Sequence, residues 1–173
     1  MNKNNKNSQL KWLCFIALLG FLSSSWAAPQ LDPISVAINR LNNNAPDPVE
    51  LAYIGVRCGA LNVMIGYAIE YQGSGSAESK KMEKIFKDDG EVFKNVGFYM
   101  SIVAKEGEDY RLKQFDNFLH IYGDEWTQSQ KLNNNPWTPF IDTEVRSCES
   151  VKPQFKSMSE TINKKLGEVH NSK

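Results

Sequence analysis

Apolar residues recur every three or four positions along most of this chain, and this spacing restricts the fold more strongly than any other feature. Four long segments show the helical spacing, whereas the strict apolar–polar alternation of β-strands never continues for more than a few residues. Four amphipathic segments joined by short polar turns pack most simply as an up-down-up-down bundle. The sequence therefore predicts an all-α, four-helix bundle domain over residues 47–169.

Turn and capping residues mark the ends of the four predicted helices. A proline directly after an N-cap residue begins the first and the fourth helix, and glycine- or asparagine-rich turns end the first three. These boundary residues are Asp47-Pro48, Gly73-Ser74-Gly75, Ser76, Gly107, the stretch 133–136, and Thr138-Pro139. Asp88-Asp89-Gly90 predicts a kink or break in the second helix, and Pro153 predicts a kink or split in the fourth. The third helix is predicted to turn five residues inward, namely Leu112, Phe115, Leu119, Tyr122 and Trp126.

The first 27 residues have the three parts of a secretory signal peptide. Three lysines and no acidic residue precede an apolar run over residues 12–22, and Ser25-Trp26-Ala27 places small residues where a signal peptidase cleaves. The apolar run is too short to span a bilayer, so we expect cleavage after Ala27. An uncleaved membrane anchor is the alternative. The mature protein is then expected to be periplasmic or secreted.

Two short segments lie outside the predicted bundle domain. Residues 28–46 contain three prolines and an Asn-Asn-Asn run, so we expect an N-terminal extension with at most a short helix over residues 34–41. Residues 170–173 are expected to form a disordered tail.

Cys58 and Cys148 are the only cysteines left once the signal peptide is removed. An even number of cysteines on an exported chain predicts a disulfide, because that compartment is oxidising. Each cysteine lies on an apolar face about ten residues into its helix, and the bundle makes these two helices antiparallel neighbours. The sequence therefore predicts a disulfide between the first and fourth helices. A metal pair or two free thiols are the alternatives.

The segment over residues 51–69 is almost entirely apolar and contains Gly55 and Gly59 four residues apart. This spacing occurs in paired membrane helices, where small residues allow close approach. Arg57 lies within the segment and would be costly inside a bilayer. We therefore predict the most buried helix of a water-soluble bundle, with no stable membrane span in the mature chain.

Arg57 adjoins the predicted buried cysteine and therefore needs a carboxylate partner. Asp142 and Glu144 on the fourth helix are the candidates for this structural ion pair.

The sequence contains no motif of a known catalytic class. It lacks the G-x-S-x-G, H-E-x-x-H and P-loop patterns, and it lacks the C-x-x-C-H signature of haem attachment. Its 20 Lys and Arg residues balance its 20 Asp and Glu residues, which argues against a nucleic-acid-binding protein. We therefore expect neither an enzyme nor a cofactor.

One histidine lies between two carboxylates on the third predicted helix. Asp116, His120 and Asp124 are four residues apart, so their side chains follow one flank of the helix. Such a row could bind a divalent metal or a small ligand, and a solvated charged face is the alternative.

An aromatic turn joins the third and fourth helices. Trp137 and Phe140 each follow a proline, which gives a rigid apolar knob that either caps the bundle end or binds a partner. The sequence thus predicts an exported helical binding or accessory protein with no catalytic site. Its partner would be an unidentified protein or small molecule of the cell envelope, and the alternative function is a metal- or small-ligand-binding bundle.

Overall fold

The computed structural model of this chain describes residues 31–73 and 75–171. These residues form five helices and no strand, which confirms the all-α prediction. The helices are α1 (Ile34–Asn43), α2 (Pro48–Gln72), α3 (Ala77–Val103), α4 (Glu108–Asn133) and α5 (Pro139–Asn171). The predicted signal peptide lies outside the described residues.

Helix α1 makes the number of helices five where the sequence pattern predicted a four-helix bundle. It lies in the predicted N-terminal extension, yet four of its residues are buried against the rest of the protein: Ile34, Ala37, Ile38 and Leu41. Helix α1 packs on α2 and α5. The extension is therefore part of the core, because its short apolar face covers the seam between two long helices.

Helix α2 is the central helix, and α3, α4 and α5 all pack on it. Its closest neighbour is α3, whereas α3 contacts α4 much less. Glycines explain this close approach: a Cβ added to Gly55 would lie 2.6 Å from the Cα of Gly97, and one added to Gly90 would lie 2.9 Å from the backbone N of Val63. With no side chains between them, the two backbones touch. The helices therefore do not contact their neighbours equally, as those of a simple four-helix bundle would.

Helix α3 runs without a break through Asp89 and Gly90, where a kink or break was predicted. Gly90 is buried against α2, and the carboxylate of Asp89 lies 3.1 Å from the Nζ of Lys152 and 2.9 Å from that of Lys156, both on α5. These contacts stabilise α3 at Asp89 and Gly90, two residue types with a low helix propensity. Helix α5 likewise continues past Pro153, so the predicted split does not occur. It ends at Asn171, within the stretch predicted as a disordered tail.

Helix α4 buries Tyr122 and Trp126 as predicted, whereas Phe115 and Leu119 are only partly buried against the core. Phe118, Tyr122 and Trp126 are buried, one turn apart, and face α2. Leu112, which was predicted to point inward, is 44% exposed. The difference arises because α4 packs mainly on one helix, so its buried face is narrower than a four-helix bundle requires.

Cys58 of α2 and Cys148 of α5 form a disulfide, with their Cα atoms 5.6 Å apart, as predicted. Both cysteines are buried in the core. The bond therefore joins the central helix to the last helix.

Helix α2 is the one helix, within the ranges described, that is long and apolar enough to cross a membrane. In its most apolar window, 72% of the residues are buried inside the protein. Because the core helix of a soluble protein passes the same test, this composition is weak evidence for a membrane span.

Candidate functional site

A groove of about 460 Å³ opens at the end of the protein where α2 ends and α3 begins. Most of its lining residues are apolar: Ala68 and Ile69 from α2, Met82 and Phe86 from α3, Trp126 from α4, and Pro136 and Trp137 from the turn before α5. We call it the Trp137 groove. Its volume lies in the range of about 300–1,000 Å³ that is typical of small-molecule sites.

The groove is lined by residues of α3 and α4, two helices that contact each other little. The two helices meet at Phe98 and Phe115, whose ring centroids are 6.1 Å apart. Phe86, which lines the groove, lies about three turns away along α3. At that level Pro136 and Trp137, from the turn before α5, line the groove together with Phe86.

Asparagine side chains fix the turn that carries Trp137. Asn134 caps α4 in the left-handed conformation with φ 50°, and its N–H donates to the carbonyl of Gln130 at 3.0 Å. The hydroxyl of Ser129 donates to the carbonyl of Asn135 at 2.7 Å. The side-chain oxygen of Asn135 in turn accepts from the backbone N–H of Trp137 at 3.0 Å. The sequence predicted that these asparagines end the helix before the turn, whereas the rigidity of the turn was attributed to its prolines.

Trp126 and Trp137 form the side of the groove nearest α4. Their rings pack edge to face, with centroids 5.3 Å apart. Trp137 is 42% exposed, whereas Trp126 is only 5% exposed. The indole Nε1–H of Trp126 has no hydrogen-bond partner in the described structure. A buried indole N–H normally has an acceptor, and leaving a buried donor unpaired costs about 1–3 kcal/mol.

Phe140, the second residue of the predicted aromatic knob, does not line the groove. It is half-buried and stacks on Tyr122, with ring centroids 5.9 Å apart. The structure therefore separates the two predicted partner-binding residues. Trp137 faces the groove, and Phe140 covers the core.

Arg57 and Glu144 form an ion pair in the core. Nη2 of Arg57 lies 2.7 Å from Oε2 of Glu144, and the two side chains are 0% and 1% exposed. The Nη1 group of Arg57 also donates to the carbonyl of Asp32 at 2.8 Å. Of the two predicted carboxylates, Glu144 is thus the partner of Arg57. Asp142 pairs instead with Arg146 at the surface, at 2.8 Å.

Two tyrosines and one backbone amide complete what we call the Arg57 network. Tyr122 donates its hydroxyl proton to Glu144 at 2.6 Å, and Arg57 donates to the hydroxyl of Tyr53 at 2.6 Å. The other oxygen of Glu144 accepts from the backbone N–H of Ile34 at 2.9 Å, at the first residue of α1. A carboxylate is favourable at this position, since the N-terminus of a helix carries partial positive charge. The network therefore joins α1, α2, α4 and α5.

The charges of this network are fixed by burial and pairing. Burial lowers the pKa of Arg57, but the interactions with Tyr122 and Glu144 outweigh it and raise the pKa above its usual value. Burial, together with repulsion by Glu144, raises the pKa of Tyr122 well above its usual value, against the opposing effect of Arg57. Tyr122 therefore remains a hydrogen-bond donor. None of these residues lines the Trp137 groove, and together they connect four helices of the core.

Asp116, His120 and Asp124 are all exposed on α4. The first and last of them are separated by about 12 Å along the helix axis, too far for both carboxylates to bind one ion. Across residues 31–73 and 75–171, no group of three or more His, Cys, Asp or Glu side chains could hold a metal ion. The structure thus does not bring these three residues together as a metal site, because no other helix supplies a ligand beside them.

Comparison with family models, with curated proteins and with solved structures finds no match to this chain. The groove and the Arg57 network are therefore interpreted from their own geometry. Of the two, only the groove is open to a ligand.

Proposed function

We propose that this chain is an exported helical binding protein, periplasmic or secreted, that binds its ligand or partner in the Trp137 groove. One observation carries the proposal: an apolar groove at the surface is lined by Trp126, whose buried indole N–H is unpaired in the described structure, and by the half-exposed ring of Trp137. Apolar clefts with a few convergent polar groups are typical of ligand sites. Tryptophan is also the residue type most enriched where binding energy concentrates.

Two features support export. Residues 1–27 have the sequence of a signal peptide, and Cys58 and Cys148 are joined by a disulfide. Such bonds are rare in proteins of the reducing cytosol.

The composition of the groove favours binding over catalysis. Glu78 is the one charged residue that lines it. General acid–base and nucleophilic catalysis depend on positioned titratable or nucleophilic groups, and the lining offers only the carboxylate of Glu78 and the hydroxyl of Ser79. An accessory or binding role needs only the apolar surface and the free donor.

Native mass spectrometry of protein purified from the exported fraction without detergent tests the binding site. We expect a bound mass that is lost on extraction with organic solvent and is absent from the variant Trp137→Ala. The matched control is Tyr110→Ala, which removes another half-exposed aromatic ring at the opposite end of α4 and should retain the mass. Equal retention by Trp137→Ala and wild type would contradict binding in the groove.

N-terminal sequencing of the same sample tests export. We expect the exported chain to begin at Ala28. A chain that begins at Met1 and sediments with membranes would contradict the proposed processing.

A further inference from the structure

We infer that the Trp137 groove binds a neutral, largely apolar small molecule through one hydrogen-bond acceptor, which the Nε1–H of Trp126 meets. This inference rests on the proposed binding function and adds the chemical class of the ligand.

The unpaired N–H of Trp126 favours a ligand that carries a hydrogen-bond acceptor. Trp126 is 5% exposed, and its Nε1–H lacks a partner in the part of the chain that the structure describes. An indole can only donate a hydrogen bond, so the group that satisfies it is a carbonyl, ether or ester oxygen or a comparable atom. A ligand that supplies this atom recovers the cost of the unpaired donor, whereas an otherwise equal hydrocarbon does not.

The charge of the residues that line the groove favours a neutral ligand over a charged one. Glu78 is the one charged lining residue, and no lysine or arginine lines the groove. A carboxylate ligand would therefore meet a negative charge and find no basic partner while it left water. An ammonium group would pair with Glu78, but this carboxylate is exposed to water, so the pair would contribute little, and the N–H of Trp126 would stay unpaired because both groups are donors.

The remaining lining accounts for the apolar part of the ligand. Ile69, Met82 and Phe86 line the groove together with the two tryptophans and are all apolar. Methionine and aromatic side chains contact planar rings favourably, so an aromatic ligand suits this surface.

Trp137 controls access to the donor. The Nε1 atom of Trp126 is buried, and the ring of Trp137 packs 5.3 Å from that of Trp126. The backbone of Trp137 is tied to Asn135, whereas its side chain is 42% exposed. Binding of the ligand thus requires the Trp137 ring to turn aside, so that the acceptor reaches the N–H.

The indole N–H signals of a ¹⁵N-labelled sample test the inference. Once residues 1–27 are removed, Trp126 and Trp137 are the only tryptophans, so two signals are expected, and the variant Trp137→Phe assigns them. The probes are acetophenone, ethylbenzene of similar size without an acceptor, and benzoate with an acceptor and a charge. We expect acetophenone to move the Trp126 signal downfield and to bind at least about tenfold more tightly than the other two probes.

The variant Trp126→Phe keeps an aromatic ring and removes the donor. We expect it to bind acetophenone and ethylbenzene equally. Equal binding of these two probes by the wild-type protein would overturn the inference, and so would stronger binding of benzoate or no binding of any probe. The wild-type comparison stands even if the variant fails to fold. If the probes do not bind as expected, the proposed binding function is still tested separately, by the bound mass that protein from the exported fraction retains in native mass spectrometry.

Discussion

Gly55 of α2 and Gly97 of α3 lie in backbone contact, since a Cβ on Gly55 would lie 2.6 Å from the Cα of Gly97. The same interface would place a Cβ on Gly97 2.7 Å from the backbone N of Val56. Backbone atoms cannot turn aside as a flexible side chain can. Any side chain at either position must therefore push the two helices apart.

The substitution Gly55→Ala is expected to lower the free energy of unfolding by about 1–3 kcal/mol, the usual cost of overpacking. The matched control is Gly123→Ala on α4, where an added Cβ meets nothing within 4 Å. This control should raise the free energy of unfolding by about 0.5–1 kcal/mol, because alanine favours the helix more than glycine does. Urea unfolding of both variants measures the difference. Equal stability of the two variants would disprove the backbone contact.

The substitution Glu144→Gln is expected to lower the free energy of unfolding by about 3–5 kcal/mol, because it leaves the buried charge of Arg57 without a counter-charge. Asp142→Asn makes the same chemical change two residues earlier on α5, where the carboxylate is 52% exposed. This control should leave the stability nearly unchanged, since exposed ion pairs contribute little. Chemical denaturation compares the two. A similar loss in both variants would contradict the buried position of Glu144.

The raised pKa of Tyr122 predicts a loss of stability in alkali. Above about pH 10 the unfolded chain releases the phenolic proton while the folded protein retains it, so the unfolded state binds fewer protons. The free energy of unfolding should therefore fall by up to about 1.4 kcal/mol per pH unit from this residue. Tyr122→Phe lacks the proton, so its stability should fall less steeply between pH 10 and 11 than that of wild type. If the free energy of unfolding falls equally steeply with pH in both proteins, the loss of stability in alkali does not come from Tyr122.

Local patterns were sufficient to predict most of the fold. The helices and the Cys58–Cys148 pairing depend on apolar spacing and on helix direction, which the sequence shows directly. The role of α1 was underestimated, because ten residues are a weak helical signal until α2 and α5 supply a surface to cover. The preference of α2 for α3 was missed because it depends on glycines from two helices that meet at the same level.

The candidate site was less predictable than the fold. Trp137 was recognised as a candidate for partner binding, since a tryptophan beside a proline in a turn is visible in the sequence. Trp126 was predicted only as a core residue. Whether its N–H has a partner depends on the positions of all the acceptors around it, and the sequence does not show these positions. The row Asp116, His120 and Asp124 was a candidate site beside the alternative of a solvated charged face. Spacing on one helix suggested a site, but a metal needs ligands that converge from more than one direction.

Removal of the disulfide by the double substitution Cys58→Ala and Cys148→Ala is expected to lower the free energy of unfolding by about 2–5 kcal/mol. The wild-type protein should lose a similar amount when it is unfolded in the presence of a thiol reductant, whereas the double variant should not respond to the reductant. The folded protein should react slowly, because both sulfur-bearing side chains are buried. Urea unfolding midpoints with and without reductant check this. Identical midpoints for the double variant and the oxidised wild type would refute the stabilising role of the bond.

The substitution Asn135→Ala is expected to loosen Trp137, because it removes the side-chain oxygen that accepts from the Trp137 N–H at 3.0 Å. The stability should change by only about 0.5–1.5 kcal/mol, the net value of one hydrogen bond. The mobility of the indole ring should increase, and fluorescence anisotropy of the exported protein measures it, since both of its tryptophans line the groove. Asn133→Ala is the control, because this exposed residue at the end of α4 makes no bond to Trp137 in the described structure. If the two variants show the same anisotropy, the side chain of Asn135 does not fix the position of the ring.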